Sequence, residues 1–231
     1  MCSAPAHDGP GEHRVSQQSL FAATHAPGAA EPLGPGAIVF RGLVRGREAE
    51  LIAAIERIAT RAPFRHLVTP GGYSMSVAMT NCGELGWISD RSGYRYGPND
   101  PQTQQPWPLL PQSFLALAHD AAHAAGYSDF RPDACLINRY APGSRLTLHR
   151  DYDERDPNAP IVSVSLGVSA TFLWGGLRRQ DRQRRVLLES GDVVVWGGPS
   201  RFVYHGIATL KPQDHALTGS LRFNLTFRKA R

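Results

Sequence analysis

The sequence predicts a mainly β protein with flanking helices and a double-stranded β-helix, or jelly-roll, core. Three observations carry that expectation. From about residue 133 onward, short runs of Val, Ile, Leu, Thr and aromatics alternate with turn residues. Pro142-Gly143, Gly175-Gly176, Ser190-Gly191-Asp192 and Gly197-Gly198-Pro199 mark the breaks, where glycine and proline interrupt pairing and reverse the chain. Helical periodicity is confined to two segments ahead of that region. Many short strands with frequent turns suit a doubled sheet whose inner face lines a pocket.

The elements follow in order. Residues 1–35 are rich in Ala, Gly, Pro and His, with almost no aliphatic pattern. They read as a disordered or loosely docked tail, in which Ser19-Leu20-Phe21 could dock on the body. Residues 36–231 form a single domain. Ala37–Phe40 is a short apolar strand. Over 47–60, Leu51, Ile52, Ile55 and Ile58 recur at helical spacing and give one buried stripe. Residues 61–108 interleave Pro, Gly, Tyr, Trp and Met with polar residues. An alternating strand is expected at 73–80, and structured loops carrying aromatics elsewhere. A second helix over 111–125 is opened by Pro111 and ended by Gly126. The strands of the core, 133–231, are then expected at 135–140, 147–151, 161–167, 171–174, 185–188, 193–196, 202–205 and 221–228.

A chain of 231 residues is long enough to bury a real core. Its formal charge is +5 and its pI about 9.4, which permits a polyanionic partner without requiring one. Cys2, Cys82 and Cys135 have no regular spacing. That argues against a disulfide framework or zinc knuckle and suits a reducing cytoplasm. No apolar run reaches the roughly 18 residues of a membrane helix, and no secretory leader is visible. Gly-rich phosphate loops and serine or cysteine nucleophile motifs are also missing from the sequence.

The chemistry sits in the last third. In a strand, residues i and i+2 point to one face. His149 and Asp151 therefore aim at one point, while Arg150 aims away. His205, at the end of a late strand, can supply a third ligand. Two histidines and one carboxylate form the facial triad that holds non-haem Fe(II) with positions left open. A lone His-x-Asp, or a lone histidine, is more often an ordinary hydrogen-bonded group; the ordered set within a strand-rich module is what points to a metal. On the last strand, Arg222, Asn224, Thr226 and Arg228 share one face, and Phe223, Leu225 and Phe227 the other. Buried arginines need anions, and guanidinium groups bind carboxylates bidentately. An organic dicarboxylate clamp is expected there; the plainer reading is a solvated face of a half-buried strand. Asn138 and Tyr140 could donate hydrogen bonds to the same anion or simply close their strand. His119 and His123, four apart on the second helix, read as a solvated helix face.

Longer motifs carry a resemblance. They are Phe64-Arg65-His66-Leu67-Val68-Thr69-Pro70-Gly71-Gly72-Tyr73, Met79-Thr80-Asn81-Cys82-Gly83, Leu136-Ile137-Asn138-Arg139-Tyr140-Ala141-Pro142-Gly143, Gly191-Asp192-Val193-Val194-Val195-Trp196-Gly197-Gly198 and Arg222-Phe223-Asn224-Leu225-Thr226-Phe227-Arg228. Over about residues 35–230 the chain closely resembles the AlkB family of bacterial DNA-repair dioxygenases. The resemblance implies an enzyme that uses Fe(II), O2 and 2-oxoglutarate to repair N-alkylated bases, chiefly 1-methyladenine and 3-methylcytosine. Formaldehyde, succinate and CO2 are the implied products. Alkylated single- or double-stranded DNA, and also RNA, are the implied partners, with no membrane and a monomeric chain.

By position the resemblance implies His149, Asp151 and His205 as iron ligands. Asn138, Tyr140, Arg222, Asn224 and Arg228 would hold 2-oxoglutarate, with Arg228 on its distal carboxylate and Arg222 near the other end. Thr69, Met79, Trp87, Tyr94, Asp153 and Arg179 would surround the alkylated base and its strand, with 61–108 as a nucleotide-recognition lid. A base cannot reach a buried metal from inside a duplex, so it must be flipped out and stacked on aromatics. Two departures from the family pattern bear on strand affinity: the cation Arg150 between the paired ligands, and Tyr152 where a lysine is expected. Two other readings stay open from the residues. One keeps iron and 2-oxoglutarate but acts on tRNA, protein side chains or a small molecule. The other is a non-catalytic barrel.

Overall fold

The computed structural model describes residue 1 and residues 28–231. The Ser19-Leu20-Phe21 patch lies outside the described residues. Strands β1 (Ala30–Gly34) and β2 (Ala37–Phe40) form an antiparallel pair, followed by helix α1 (Glu48–Arg61). Strands β3 (Arg65–Val68), β4 (Ser74–Gly83), β5 (Gly86–Asp90) and β6 (Gly93–Gly97) lead to helix α2 (Gln112–Ala124). The C-terminal strands are β7 (Ala134–Tyr140), β8 (Leu146–His149), β9 (Ile161–Gly167) and β10 (Ala170–Trp174). Then come β11 (Arg184–Leu188), β12 (Val193–Trp196), β13 (His205–Ile207) and β14 (Arg222–Arg228).

A large sheet in the order β1-β2-β12-β9-β14-β7-β4-β3 packs against a smaller one, β11-β10-β13-β8, and β5-β6 is a separate hairpin. This is the mainly β, jelly-roll arrangement that the strand and turn pattern predicts. Strand alternation sorts the large sheet's two faces. Val193, Val195, Phe223, Leu225 and Phe227 point outward and pack with Leu51, Ile55, Phe114 and Leu117 of the two helices. Phe114 meets Phe227 edge-on at 5.9 Å. Burying each such side chain stabilises by about 1.5–3 kcal/mol. The inner-face residues Leu136, Tyr140, Val194 and Trp196 pack with Phe172, Trp174 and Ile207 of the smaller sheet. The polar alternates on β7 and β14 are thereby directed into the space between the sheets.

Three elements differ from expectation. Residues 30–34, assigned to the tail, are strand β1. They lack an apolar alternation; what holds them is Arg41, which pairs with both Glu31 and Asp192 at 2.7 Å, and Leu33, which is buried. Part of 61–108, expected as loops, forms β3 and the β5-β6 hairpin. That hairpin turns on Gly93, whose φ of +124° a side chain rarely adopts, and Asp90 accepts the Ser92 amide at 2.8 Å. Finally, β8 stops at His149 and β13 begins at His205, after a 3-10 turn at Gly198–Ser200. Among the described residues, no helix is long and apolar enough to cross a membrane.

Candidate metal and co-substrate site

Strands β8 and β13 are neighbours, and His149 and His205 are register partners across them. Their ring centroids lie 4.5 Å apart. The close approach depends on Gly206, where a Cβ would sit 2.6 Å from the Leu146 carbonyl oxygen. Asp151 lies beyond the end of β8, so strand alternation is not what delivers it. Instead Arg201 Nη1 donates to its backbone carbonyl at 2.7 Å, and Arg228 Nη2 donates to its Oδ2 at 2.8 Å. Asp151 Oδ1 is then 3.7 Å from His149 Nε2, and Oδ2 is 3.9 Å from His205 Nε2. One ligand atom from each residue lies within 4.8 Å of the others, as a shared ion requires.

The imidazoles are oriented by their far nitrogens. His149 Nδ1 contacts the Thr147 carbonyl at 2.9 Å, and His205 Nδ1 the Val203 carbonyl at 3.0 Å. A carbonyl only accepts, so each Nδ1 carries the proton and each Nε2 presents a lone pair to the centre. Burial and the neighbouring His149 push His205 down to about 4, which keeps it an unprotonated donor at neutral pH. Burial alone would raise the Asp151 carboxyl. The Arg228 guanidinium, which also donates to it, outweighs burial and holds Asp151 well below the usual carboxylate range.

The candidate co-substrate wall is β14, with β7 and β9 on either side. Arg222 pairs in register with Tyr140, and Asn224 with Asn138. Asn138 Nδ2 donates to Asn224 Oδ1 at 3.2 Å, and Asn224 Nδ2 to Ser163 Oγ at 2.8 Å. Arg222 Nη2 donates to Ser165 Oγ at 2.8 Å, and its guanidinium lies 5.3 Å from the Tyr140 ring. Arg222 is only 1% exposed, yet its Nε and Nη1 find no hydrogen-bond partner among the described residues. Burial lowers its proton affinity and pushes the Tyr140 phenol up to about 12. Arg228 stands at the other end, donating to Asp151 from two nitrogens. The two arginines therefore differ in the donors they leave for a ligand. Arg228 is committed to the metal end, and Arg222 has the donors to spare.

A cavity of about 980 Å³ joins these groups, and every candidate site residue lines it, Thr69, Met79, Trp87, Tyr94, Asp153 and Arg179 included. Among the described residues, His149, Asp151 and His205 are the one set of three or more potential ligands close enough to share an ion. His119 and His123 stack 6.3 Å apart on α2 and belong to no such set.

The profile described as the 2OG-Fe(II) oxygenase superfamily matches residues 36–228. The chain belongs to this superfamily. It is an Fe(II)- and 2-oxoglutarate-dependent dioxygenase. It is 60% identical over 200 residues to the alpha-ketoglutarate-dependent dioxygenase AlkB of Escherichia coli K12, covering 87% of this chain and 93% of the relative. The AlkB homologue of Caulobacter vibrioides is 43% identical over 199 residues, covering 85% and 89%. The solved structure of OsALKBH1 superposes with a TM-score of 0.77 at 29% identity, over 87% of this chain and all of that one.

The residues present fit the groups that a 2OG-Fe(II) oxygenase uses. Two imidazoles and a carboxylate are the donor set for ferrous iron, with positions left for other ligands. A buried guanidinium with two free donors is costly unless an anion meets it, and a carboxylate matches its fork. Iron, 2-oxoglutarate and O2 together supply an oxidant strong enough to hydroxylate a C–H bond. Sequence reasoning missed Ser163, Ser165, Glu154 and Arg201. The serines alternate with Val162, Val164 and Leu166 on β9, a signal available in the sequence. Glu154 and Arg201 lie outside strands, where no period marks them.

Proposed function

We propose that this dioxygenase demethylates N-alkylated bases in DNA, chiefly 1-methyladenine and 3-methylcytosine. One observation carries the reading. On the β5-β6 hairpin, Trp87 and Tyr94 stack at 5.4 Å with 16° between their planes, and both line the cavity that holds the triad. A parallel aromatic pair at the mouth of an oxygenase site suits a flat, extrahelical base. The names of the relatives support a nucleic-acid substrate: AlkB in bacteria, and the human nucleic acid dioxygenase ALKBH1 at 32% identity.

In this reading His149, Asp151 and His205 hold Fe(II). Arg222, with Tyr140 beside it, takes the distal carboxylate of 2-oxoglutarate, while Asn138 and Asn224 line its flank and Arg228 fixes the metal end. Trp87 and Tyr94 face the base, with Thr69 and Met79 around it. Asp153, held by Trp87 Nε1 at 2.9 Å, brings a negative charge toward a ring that N-methylation makes cationic. Arg179, exposed on the cavity rim, meets the strand. Iron, 2-oxoglutarate and O2, held by these residues, would supply the oxidation that removes an N-methyl group as formaldehyde, with succinate and CO2 as co-products. Both single- and double-stranded DNA, and RNA, are proposed substrates for a monomer working in a reducing cytoplasm.

Formaldehyde release from a panel of methylated oligonucleotides, with Fe(II), ascorbate and 2-oxoglutarate, tests the proposal. Turnover of 3-methylcytosine strands with none on unmodified strands is expected. Succinate formation with a protein or small-molecule substrate, and none with any methylated strand, would overturn it.

A further inference from the structure

We propose that Glu154 is a positioning residue for the metal centre, joining the lid hairpin, through Tyr96, to the two arginines that hold Asp151. The proposal rests on the assignment of His149, Asp151 and His205 to the metal and is independent of which substrate enters.

Glu154 lies in the segment after β8, and its side chain is only 2% exposed. Two donors and a second guanidinium converge on that one carboxylate. Arg201 Nη2 donates to it at 2.9 Å and the Tyr96 hydroxyl at 2.6 Å, while Arg228 Nε lies 3.4 Å away. Each arginine also ends on Asp151. Arg201 holds its backbone carbonyl, and Arg228 holds its carboxylate. Arg201 Nε further donates to the Ala159 carbonyl at 3.0 Å, which pins both ends of the intervening segment. The ligand carboxylate has no strand to align it, so this cluster fixes its aim.

The lid end of the connection is equally specific. Trp87 and Tyr96 are register partners across β5 and β6, so their side chains leave the hairpin on one face. They reach consecutive acidic residues of one segment, Trp87 to Asp153 and Tyr96 to Glu154. The Tyr96 hydroxyl also accepts from Arg228 Nη1 at 3.4 Å. Burial holds its phenol well above the ordinary range, so it remains a neutral donor to Glu154. A buried ion cluster is a poor device for stability alone, because apolar packing would serve as well. This one connects the hairpin that carries the aromatic pair to the carboxylate of the triad. Linkage then requires reciprocity: whatever the seated lid does for the metal, the metal does for the lid.

The test uses full-length protein and Co(II) as an oxygen-stable probe. Titration followed by the visible spectrum of bound Co(II) gives affinity, and amide hydrogen exchange over residues 86–97 reports the lid. In the wild type, Co(II) should slow exchange across the hairpin. Tyr96→Phe, which keeps the ring and removes the hydroxyl, should abolish that response while the metal-free melting temperature is retained. Glu154→Gln should weaken Co(II) by about tenfold or more, the usual scale for groups that support metal ligands. A Tyr96→Phe protein with the wild-type exchange response would overturn the proposal. So would a folded Glu154→Gln protein with wild-type Co(II) affinity; should that variant not fold, the Tyr96→Phe measurement decides alone. A Co(II) spectrum that His149→Ala leaves unchanged would overturn the metal assignment itself, and the proposal with it.

Discussion

Arg222 and Arg228 share one face of β14 and differ in what they have left to give. Arg228 is engaged by Asp151, whereas Arg222 keeps two buried nitrogens without partners among the described residues. Arg222→Ala should therefore raise the 2-oxoglutarate requirement by about 2–5 kcal/mol in KM terms, the cost of losing a buried charge-assisted contact. An unchanged KM would move the carboxylate site elsewhere. Arg228→Ala should instead weaken metal binding first. His149→Ala should abolish turnover and leave far-UV circular dichroism and the cooperative melt intact; measurable activity would contradict the triad. Trp87→Ala should cost about 1–3 kcal/mol on methylated strands if the indole stacks on the base. Oxygen uptake with 2-oxoglutarate alone should barely change in that variant, and a parallel loss would make Trp87 a scaffold residue.

A single strand can serve the core on one side and the site on the other. Leu225 is fully buried among the helix-facing residues, while its neighbour Asn224 points between the sheets. Leu225→Ala should lower unfolding free energy by about 2–5 kcal/mol and leave the KM for 2-oxoglutarate near wild type at temperatures well below the melt. A raised KM with unchanged stability would mean the faces are misassigned. The same alternation explains what was legible beforehand. Helices α1 and α2, strands β7, β9, β12 and β14, and the two faces of β14 follow from period and turn residues alone. His149 and His205 were recognisable by type and order. How Asp151 reaches them was not, because a salt bridge from Arg228 and a carbonyl contact from Arg201 replace the strand alternation that the motif suggested. The β5-β6 hairpin was obscured by its polar and aromatic composition, and β1 by an anchorage that depends on distant Asp192. The duties of the two arginines depend on which one meets Asp151, and no pattern within β14 encodes that.

At the scale of the molecule, the sheets enclose a deep cavity whose rim carries cations. Arg145, Arg150 and Arg179 line it, and Arg150 lies 5.5 Å from the Tyr152 ring and 5.6 Å from that of Tyr204. With a net charge of +5, oligonucleotide affinity should fall as salt rises. Each rim arginine that meets a phosphate should contribute about −0.7 to the log–log slope on single strands. Arg179→Ala should make the slope shallower by about that amount, and an unchanged slope would remove Arg179 from the strand's path. His149, Asp151 and His205 are proposed to hold the Fe(II) that supports oxidation of an alkylated base. The most direct measurement of that oxidation is the stoichiometry on a 3-methylcytosine oligonucleotide, counting succinate, formaldehyde and restored cytosine in one reaction. Equal amounts of all three in the wild type, and none in Asp151→Ala, are predicted. Succinate accumulating while the methylated base stays intact would contradict the account.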